Sequence, residues 1–257
     1  MDLIRSPREL QGLRTAVLGS TTGIGRAIAL ALADAGADVL VHGKSSREAA
    51  NDVANEVRKR GSRSEVLMAD IADRTACDRL VNEAWNLWDG IDAWLQIAGA
   101  DILTGAGRDL DFDAKLDTLL AVDVVATVRI CRDVGRRMKE RGDGTIVTMG
   151  WDQAETGMEG DSGELFAATK AAVLGFTRSL ALSLAPTVRV NAIAPGWIKT
   201  SWGETTSSVW HERVIRETPL RRWGTPEDVA DTARFLIGPQ ARFLTGQVIR
   251  VNGGAIR

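Results

Sequence analysis

The sequence predicts an α/β fold, a doubly wound parallel sheet built as a single domain over residues 1–257. Short apolar segments alternate with amphipathic helical segments along the chain, which is the order expected of strands joined by crossover helices. The apolar segments are nearly continuous, as they are in strands that helices cover on both faces. No linker rich in proline, glycine or serine divides the chain, and it contains no internal repeat.

These patterns place each element in order along the chain. The predicted strands cover residues 14–19, 37–42, 64–69, 91–98, 144–150, 188–194 and 247–251. The predicted helices cover residues 24–35, 47–60, 74–87, 112–139 and 165–184. Gly36 and Gly61 follow the first two helices, and glycine readily adopts the left-handed conformation that ends a helix.

Composition limits the partners that the chain can have. Hydrophobic residues make up 44% of the sequence and charged residues 26%, and the net charge is −2. The chain lacks the concentrated basic surface that nucleic acid requires, and no apolar run approaches the ~20 residues of a membrane span. Residues 1–5 lack the apolar core of a signal peptide. We therefore expect a cytoplasmic protein that has neither nucleic acid nor a membrane as its partner.

Cysteine and histidine are too scarce to predict a metal site. Cys77 and Cys131 lie far apart inside helical patterns, which favours reduced thiols over a disulfide or a metal site. His42 and His211 are the only histidines, too few for a multi-histidine metal centre. We interpret both histidines as loop or surface residues and expect no metal.

A glycine-rich turn follows the first strand and opens the first helix. It reads Gly19-Ser20-Thr21-Thr22-Gly23-Ile24-Gly25. Glycines at this place let the backbone turn tightly and bring free N–H groups and the helix dipole up to a pyrophosphate. A turn that merely requires glycine is the alternative, but the position between a strand and a helix favours phosphate binding.

With this turn and four further segments, the chain resembles the short-chain dehydrogenase/reductase family over essentially its whole length. The resemblance is strongest to members that are similar to 3-oxoacyl-acyl-carrier-protein reductases. The further segments are 69–73 (ADIAD), Ala98-Gly99, 195–200 (PGWIKT) and 245–254 (TGQVIRVNGG). The resemblance implies a Rossmann-type fold and a nicotinamide dinucleotide cofactor. It implies further cofactor contacts at Asp70, Ile71, Ala98, Gly99, Pro195, Gly196, Ile198 and Thr200.

The turn after the second strand bears on the choice of cofactor. Sites that select NAD place a carboxylate there to hold the ribose hydroxyls. This chain has no acid in that turn, and Lys44, Ser45 and Arg47 are able to surround a 2′-phosphate through charge-assisted hydrogen bonds. The alternative is a solvated helix start with Ser45 or Ser46 as its N-cap. We predict that NADP(H) is preferred over NAD(H).

The family's catalytic residues are mostly replaced. The resemblance implies an asparagine, a serine, a tyrosine and a lysine, but the chain contains no tyrosine and keeps only Lys170. Phe166 stands at the tyrosine position, Asp123 at the asparagine position, and Trp151 or Asp152 at the serine position. The family's phenol protonates the substrate, and removing a general acid typically costs about 10²–10⁴ in rate. Lys170 alone does not establish activity, because binding of the cofactor ribose would also explain it.

Two acids are candidates for proton handling. Desolvation beside Trp151 would raise the pKa of Asp152 toward the range that acid catalysis needs. The alternative is that the acidic loop 151–166 is simply solvated, which suits Glu155 and Glu159 better. Asp123 would form an ion pair if it faces Lys170; otherwise nearby backbone groups satisfy it.

The substrate side is rich in tryptophan. Of the eight tryptophans, Trp151, Trp197, Trp202 and Trp210 lie in the two loops that flank the family's substrate cleft. We predict that Trp151, Trp197 and Trp202, together with Phe166, form a flat apolar pocket for an aromatic or heterocyclic small molecule. The alternative is packing of a lid over residues 199–219, or burial at a subunit contact.

The sequence therefore favours an NADP-dependent oxidoreductase that has a non-standard active site. Its substrate would be an apolar or aromatic carbonyl, or an imine-like compound that already carries charge. The alternative is a redox-inactive nucleotide-sensing or partner-binding protein on the same scaffold. The resemblance further implies a homo-oligomer, a dimer or tetramer, formed through the helices at 112–139 and 165–184 and the C-terminal strand.

Overall fold

The computed structural model describes residues 8–256, so residues 1–5, on which the signal-peptide expectation depends, lie outside the described residues. Seven strands form one parallel sheet, which confirms the predicted fold class. They are β1 Arg14–Leu18, β2 Asp38–Gly43, β3 Ser64–Met68, β4 Ala93–Gln96, β5 Gly144–Met149, β6 Val188–Pro195 and β7 Val248–Val251. Their order across the sheet is β3-β2-β1-β4-β5-β6-β7.

The strand order reverses at β1, which pairs with β2 on one side and with β4 on the other. Val17 lies opposite Val41 in the first pair and opposite Leu95 in the second. In an open parallel sheet, a crevice forms beyond the carboxyl ends of the strands at such a reversal, and ligands bind there. The glycine turn leaves β1 at this reversal point.

Helices join the strands and cover both faces of the sheet. The long ones are α1 Gly23–Asp34, α2 Arg47–Lys59, α3 Arg74–Leu87, α6 Thr127–Arg141, α7 Asp161–Leu184 and α10 Pro226–Ile237. Shorter helices are α4 Gly105–Arg108, α5 Phe112–Leu119, α8 Ser201–Thr205 and α9 Ser208–Glu217. Two 3₁₀ turns cover Asp152–Ala154 and Pro239–Ala241.

Each face of the sheet has its own apolar core, because successive strand residues point to opposite faces. On one face Val17 packs in a cluster with Ile28 of α1 and Leu236 of α10. On the other face Leu18 packs in a cluster with Ile130 of α6. The core therefore lies in two layers, and it holds the carboxyl ends of the strands in fixed positions at the crevice.

The predicted helix over 112–139 is not continuous. Between α5 and α6 the chain forms a wide π-helical turn, Leu120–Ala126, and Asp123 lies buried in it. Such single wide turns interrupt the regular 3.6-residue period that the sequence pattern follows, and they are frequent at functional sites. A continuous apolar pattern cannot reveal them.

Helix α10 was absent from the sequence prediction, although its start carries a clear signal. Thr225 accepts a hydrogen bond from the backbone of Asp228, and the Asp228 side chain accepts one from the backbone of Thr225. Pro226 occupies the first turn, where a missing N–H costs nothing. This capping box and the buried Val229, Ala233 and Leu236 would have identified the helix.

Helix α7 is long and apolar enough to cross a membrane by length and composition. Leu180 and Leu184 of this helix pack with Ile146 and Val188 in the second core cluster. A core helix of a globular fold passes the same test, so α7 is weak evidence for a membrane span.

Candidate active site

A cleft of about 760 Å³ opens at the carboxyl ends of β4, β5 and β6. Ile24 of α1 and Gly99 after β4 line it, as do Lys170 of α7 and the segment that follows β6. Helices α8 and α9, which lie within the predicted lid at 199–219, carry two further lining residues, Trp202 and Trp210. The cleft thus lies at the place where the strand order predicts a ligand.

The glycine turn is shaped by close backbone approach. Gly19 has a φ of +75°, and a Cβ there would lie 2.7 Å from the Cα of Ala98. A Cβ on Gly25 would lie 2.0 Å from the carbonyl oxygen of Gly19. A side chain at either position would therefore force the turn apart.

The first turn of α1 is free to bind an anion. Thr22 is its N-cap, but no side chain within residues 8–256 caps the first N–H groups, and the first turn contains no acid. Uncapped N–H groups at the positive end of a helix are what a pyrophosphate requires. A Cβ on Gly23 would lie 3.6 Å from Cγ2 of Thr200, so the turn faces the 195–200 segment across the crevice. These features fit a dinucleotide lying between the two.

His42 corrects one interpretation from sequence, because it is a buried strand residue rather than a loop or surface residue. Its Nδ1 accepts a hydrogen bond from the backbone N–H of Gly19, at 3.1 Å. Its Nε2 lies 3.1 Å from the carbonyl oxygen of Ala69, to which it donates in the matching tautomer. Desolvation by burial lowers the pKa of His42 to about 4. The neutral ring thus joins β2 to the glycine turn and to the chain leaving β3.

The end of β2 offers cations and no acid. A side chain at Gly43 would meet Cγ2 of Thr21 at 2.8 Å, which leaves little room for a carboxylate there. Lys44 is exposed and pairs with Asp70, with 3.1 Å between Nζ and Oδ2. Ser46 is the N-cap of α2 and accepts a hydrogen bond from the backbone of residue 49. Ser45 and Arg47, on either side of it, are exposed.

Lys170 and Asp123 meet at the floor of the cleft. The Nζ of Lys170 lies 2.8 Å from Oδ2 of Asp123 and donates a hydrogen bond to the carbonyl oxygen of Met149, at 3.3 Å. The other carboxylate oxygen of Asp123 accepts a hydrogen bond from the backbone N–H of Ala100, at 2.8 Å. Both side chains are buried and both line the cleft. The ammonium group is therefore fixed and its charge is balanced.

Phe166 lies one helical turn before Lys170 on α7, so both side chains project from the same face of the helix. Both line the cleft, and Trp151 lines it beside them. The rings of Phe166 and Trp151 meet edge to face, with centroids 6.2 Å apart. The predicted serine and tyrosine positions thus hold two packed aromatic rings, which offer no hydroxyl group to a substrate.

Asp152 takes a different place from the one that proton donation requires. It is not among the described residues that line the cleft, and its side chain is 1% exposed. The Nδ2 of Asn252 donates a hydrogen bond to Oδ2 of Asp152, at 3.1 Å, while Oδ1 has no partner among residues 8–256. Desolvation by burial raises the pKa of Asp152 to about 6. Of the two candidates at the serine position, Trp151 is therefore the one that faces the cleft.

Tryptophans cluster where the lid meets the sheet. Trp197 and Trp202 are stacked with centroids 6.0 Å apart, and Trp210 packs 5.4 Å from Trp197. Trp223, whose place in the sequence carries no signal of this contact, completes the cluster, with its ring centroid 6.1 Å from that of Trp202. Three of the four line the cleft, so lid packing and ligand contact involve the same rings.

Comparisons with known proteins agree with this geometry. The family model described as enoyl-(acyl carrier protein) reductase matches residues 19–255. The chain is 37% identical over 251 residues to the 3-oxoacyl-(acyl-carrier-protein) reductase FabG of Aquifex aeolicus (strain VF5), covering 96% of this chain and 98% of that protein. It is 34% identical to the cyclohexanol dehydrogenase of Rhodococcus sp. (strain TK6), covering 95% and 96%.

A solved structure matches as well. The crystal structure of a short chain dehydrogenase from Burkholderia cenocepacia J2315, in complex with NADP, has a TM-score of 0.86 and 32% identity. The match covers 96% of this chain and 99% of that one.

Proposed function

The chain belongs to the short-chain dehydrogenase/reductase family, and we propose that it is an NADPH-dependent reductase with a non-standard proton supply. Its substrate would be an apolar or aromatic carbonyl or an imine-like compound. The observation that carries the proposal is the fixed ammonium of Lys170 at the floor of a cleft that also opens onto the uncapped start of α1. The ammonium is suited to hold a ribose beside the reacting centre, and the free N–H groups at the start of α1 are suited to bind a pyrophosphate.

Several groups of this chain would hold the cofactor, which supplies a hydride when it is bound. The backbone of the glycine turn would bind the pyrophosphate, and the ammonium of Lys170 would bind the nicotinamide ribose. Asp70 and Ile71 would border the adenine, and the 195–200 segment would border the nicotinamide. The close approach at Gly19 and Gly25 supports the first of these roles, because the backbone there has room for no side chain.

NADPH is preferred in this proposal because the end of β2 carries cations and lacks an acid. Arg47 is exposed and forms no ion pair with residues 8–256, so it is available to a 2′-phosphate. Ser45 is available too, because Ser46 already caps α2. Lys44 would have to share its charge with Asp70, which makes Arg47 the main determinant.

The proton supply differs from that of a tyrosine-based site. Phe166 cannot donate a proton, and Asp152 lies outside the cleft lining. Of the two amines that line the cleft among residues 8–256, Lys115 and Lys170, the Lys170 ammonium is the buried one and is held in place by Asp123. We assign proton delivery to Lys170, directly or through water, and the positioning of Lys170 to Asp123.

One observation favours the alternative, a redox-inactive nucleotide sensor. The packed rings of Trp151 and Phe166 occupy the positions from which a serine and a tyrosine would hold a carbonyl oxygen. A site that only binds nucleotide has no need of such hydroxyl groups. The sensor also needs the glycine turn and Lys170, so nucleotide binding alone does not separate the two hypotheses.

We further propose a cytoplasmic homo-oligomer, a dimer or tetramer, with a small-molecule substrate and without nucleic acid or a membrane as partner. Exposed apolar side chains support self-association. Phe112 and Val125 near α5 are each 41% exposed, and Leu182 on α7 is 83% exposed. These positions belong to the two long helical segments through which relatives were expected to associate.

Fluorescence titration tests the proposal first. Energy transfer from tryptophan to NADPH and, separately, to NADH reports binding of each nucleotide to the purified chain. We expect NADPH to bind more tightly than NADH, and binding of neither would refute the reductase and the sensor together. Turnover of NADPH with aromatic ketones is then measured for the Phe166→Tyr/Trp151→Ser variant against the unmodified chain.

If the double variant reduces ketones about 100-fold faster than the unmodified chain, or more, the site is still able to carry out hydride transfer. No turnover by either protein with any carbonyl or imine, despite tight NADPH binding, would favour the sensor. The single Trp151→Ser variant is the matched control, because it opens the same space without supplying a phenol.

A further inference from the structure

Five aromatic side chains line the cleft and are here called the aromatic wall: Trp151, Phe166, Trp197, Trp202 and Trp210. They come from separate parts of the chain, namely the loop after β5, helix α7, the segment after β6 and the two lid helices. A ligand in the cleft therefore lies against rings that the fold brings together from several directions.

The cleft also carries more carboxylates than amines. Asp101, Glu159 and Asp161 line it, whereas Lys115 is the one lining amine among residues 8–256 besides Lys170. Glu159 is paired with Arg213, with 2.7 Å between the groups. Asp101 and Asp161 are exposed and, like Lys115, form no ion pair within residues 8–256; the Asp101 carboxylate accepts hydrogen bonds from the backbone of Leu103 and Thr104.

The Lys170 ammonium adds no net positive charge to this environment. Its Nζ lies 2.8 Å from the carboxylate of Asp123, so the pair has no net charge and the repulsion of a cation by the ammonium is weakened. With an uncharged side chain at position 123, the ammonium would repel any cation entering the cleft. The carboxylate at this position thus removes the main electrostatic obstacle to a cationic ligand.

The aromatic wall already accepts one cation. The guanidinium of Arg213 lies over the ring of Trp210, 4.8 Å from its centroid. Indole faces attract cations through the ring quadrupole, and the attraction grows as the cation is desolvated. The same faces give a neutral ring apolar contact and stacking, but no attraction to a net charge.

From these observations we propose that the cleft selects an organic cation, and specifically a cyclic or aromatic iminium ion, as its substrate. The proposal deepens the reductase function proposed above and rests on it. Aromatic faces, unpaired carboxylates and a neutralised lysine all favour a delocalised positive charge over a neutral carbonyl compound of the same shape.

The chemistry agrees with the missing phenol. If an iminium carbon accepted a hydride from a bound reduced nicotinamide, a C–H bond of the dihydropyridine ring would break, a C–H bond would form on the substrate, and the C=N π pair would become the nitrogen lone pair. The substrate would be reduced to a neutral amine, the nicotinamide would be oxidised, and no proton would be needed in the step. A ketone would instead become an alkoxide that requires a proton, which would have to come from Lys170 or water because Phe166 cannot supply it.

Calorimetric titration of the full-length chain without nucleotide tests the selection of charge. The probes are N-methyl dihydroisoquinolinium, a preformed iminium ion, and its neutral carbon isostere, methyl dihydronaphthalene, which has the same shape. We expect the cation to bind about tenfold more tightly, as two modest cation–π contacts would give. Equal affinity, or a preference for the neutral isostere, overturns the proposal.

Two variants assign the preference to the groups named above. Trp202→Leu keeps an apolar side chain but removes an indole face, and Asp161→Asn removes an unpaired carboxylate; each is expected to reduce the preference at least about threefold. Asp78→Asn, which neutralises an exposed acid on α3 away from the cleft, is the matched control and keeps the preference. If Trp202→Leu and Asp161→Asn leave the ratio of the two affinities unchanged, the recognition of charge does not reside in this cleft.

Nucleotide binding and turnover are measured separately, so the two proposals can fail independently. Preferential cation binding without any NADPH binding would sustain the cation site but refute the reductase, and with it the role of the iminium ion as a substrate. Binding of NADPH with turnover of aromatic ketones but no preference for the cation would sustain the reductase and refute the iminium substrate. Consumption of NADPH with the iminium ion, faster than with 1-tetralone, is the result expected if both hold.

Discussion

The Asp152→Asn variant tests how burial controls protons near the cleft. The Asp152 carboxyl is 1% exposed, and it accepts a hydrogen bond from Asn252 at one oxygen. Its other oxygen has no partner among residues 8–256. Desolvation therefore dominates and raises the pKa of this carboxyl to about 6 from an ordinary value of 3.8. Between about pH 4 and pH 6 the folded protein therefore holds a proton at Asp152 that the unfolded chain has released.

The effect on stability follows from this difference. Because the pKa is raised by folding, the protonated group stabilises the fold below about pH 4, and that stabilisation is lost as the pH rises through about 6. A difference of about 2 pH units corresponds to about 3 kcal/mol, taken as an upper limit. Asparagine cannot ionise, so Asp152→Asn should gain up to about 3 kcal/mol relative to the unmodified chain between these pH values.

Urea unfolding followed by tryptophan fluorescence, at a series of pH values from about 4.5 to 7.5, measures this difference. Asp78→Asn serves as the control, because Asp78 is exposed on α3 and its neutralisation should give a difference that does not vary with pH. A constant stability difference between Asp152→Asn and the unmodified chain would show that the carboxyl is not desolvated. Since Asp152 lies outside the cleft lining, turnover should survive the substitution; its abolition at every pH would instead identify Asp152 as the proton donor.

Three further substitutions test the cofactor and lysine sites. Gly25→Ala places a methyl group 2.0 Å from the carbonyl of Gly19 and should destabilise the fold by about 1–3 kcal/mol. It should also abolish the thermal stabilisation by NADPH, and a retained shift in melting temperature would contradict the assigned phosphate site. Asp123→Asn leaves the Lys170 ammonium buried without its partner and should cost about 3–5 kcal/mol in urea unfolding, much of it recovered when Lys170→Met is added. Arg47→Ala should weaken NADPH binding about tenfold in the fluorescence titration and leave NADH unchanged; an equal loss for both nucleotides would remove Arg47 from the 2′-phosphate site.

Local periodicity was sufficient to predict the sheet. Each strand is a short apolar segment with a turn signal at its end, and all seven strands lie within about two residues of their predicted bounds. The break in the helix at 120–126 was not predicted, because a wide turn leaves the apolar residues of the pattern in place. The burial of His42 was missed for a related reason: its two hydrogen bonds join Gly19 and Ala69, which are distant in sequence.

The candidate site shows the same limit. A spacing of four residues on one helix was enough to place Phe166 and Lys170 on the same face. The family resemblance left both Trp151 and Asp152 as candidates for one position and favoured Asp152 as the proton donor, because the two are neighbours in an irregular loop. Which of the two faces the cleft depends on Asn252, which is 100 residues away in sequence and binds Asp152 behind the cleft lining.

The energetics of the Lys170–Asp123 pair bear on whether the site is functional at all. Taking two charges out of water costs more than their attraction commonly returns, and apolar replacements of a buried pair are often neutral or stabilising. The pair is therefore poorly explained as a device for stability. A fixed ammonium beside the cleft is useful for binding ribose hydroxyls or delivering a proton, and its neutralisation by Asp123 is useful if the ligand beside it is itself a cation. Ribose binding by the ammonium is common to the reductase and the sensor. Neutralisation of the ammonium by Asp123 is useful only with a cationic ligand, such as an iminium substrate. A preference for the cationic ligand that Asp123→Asn abolishes would therefore favour the reductase over the sensor.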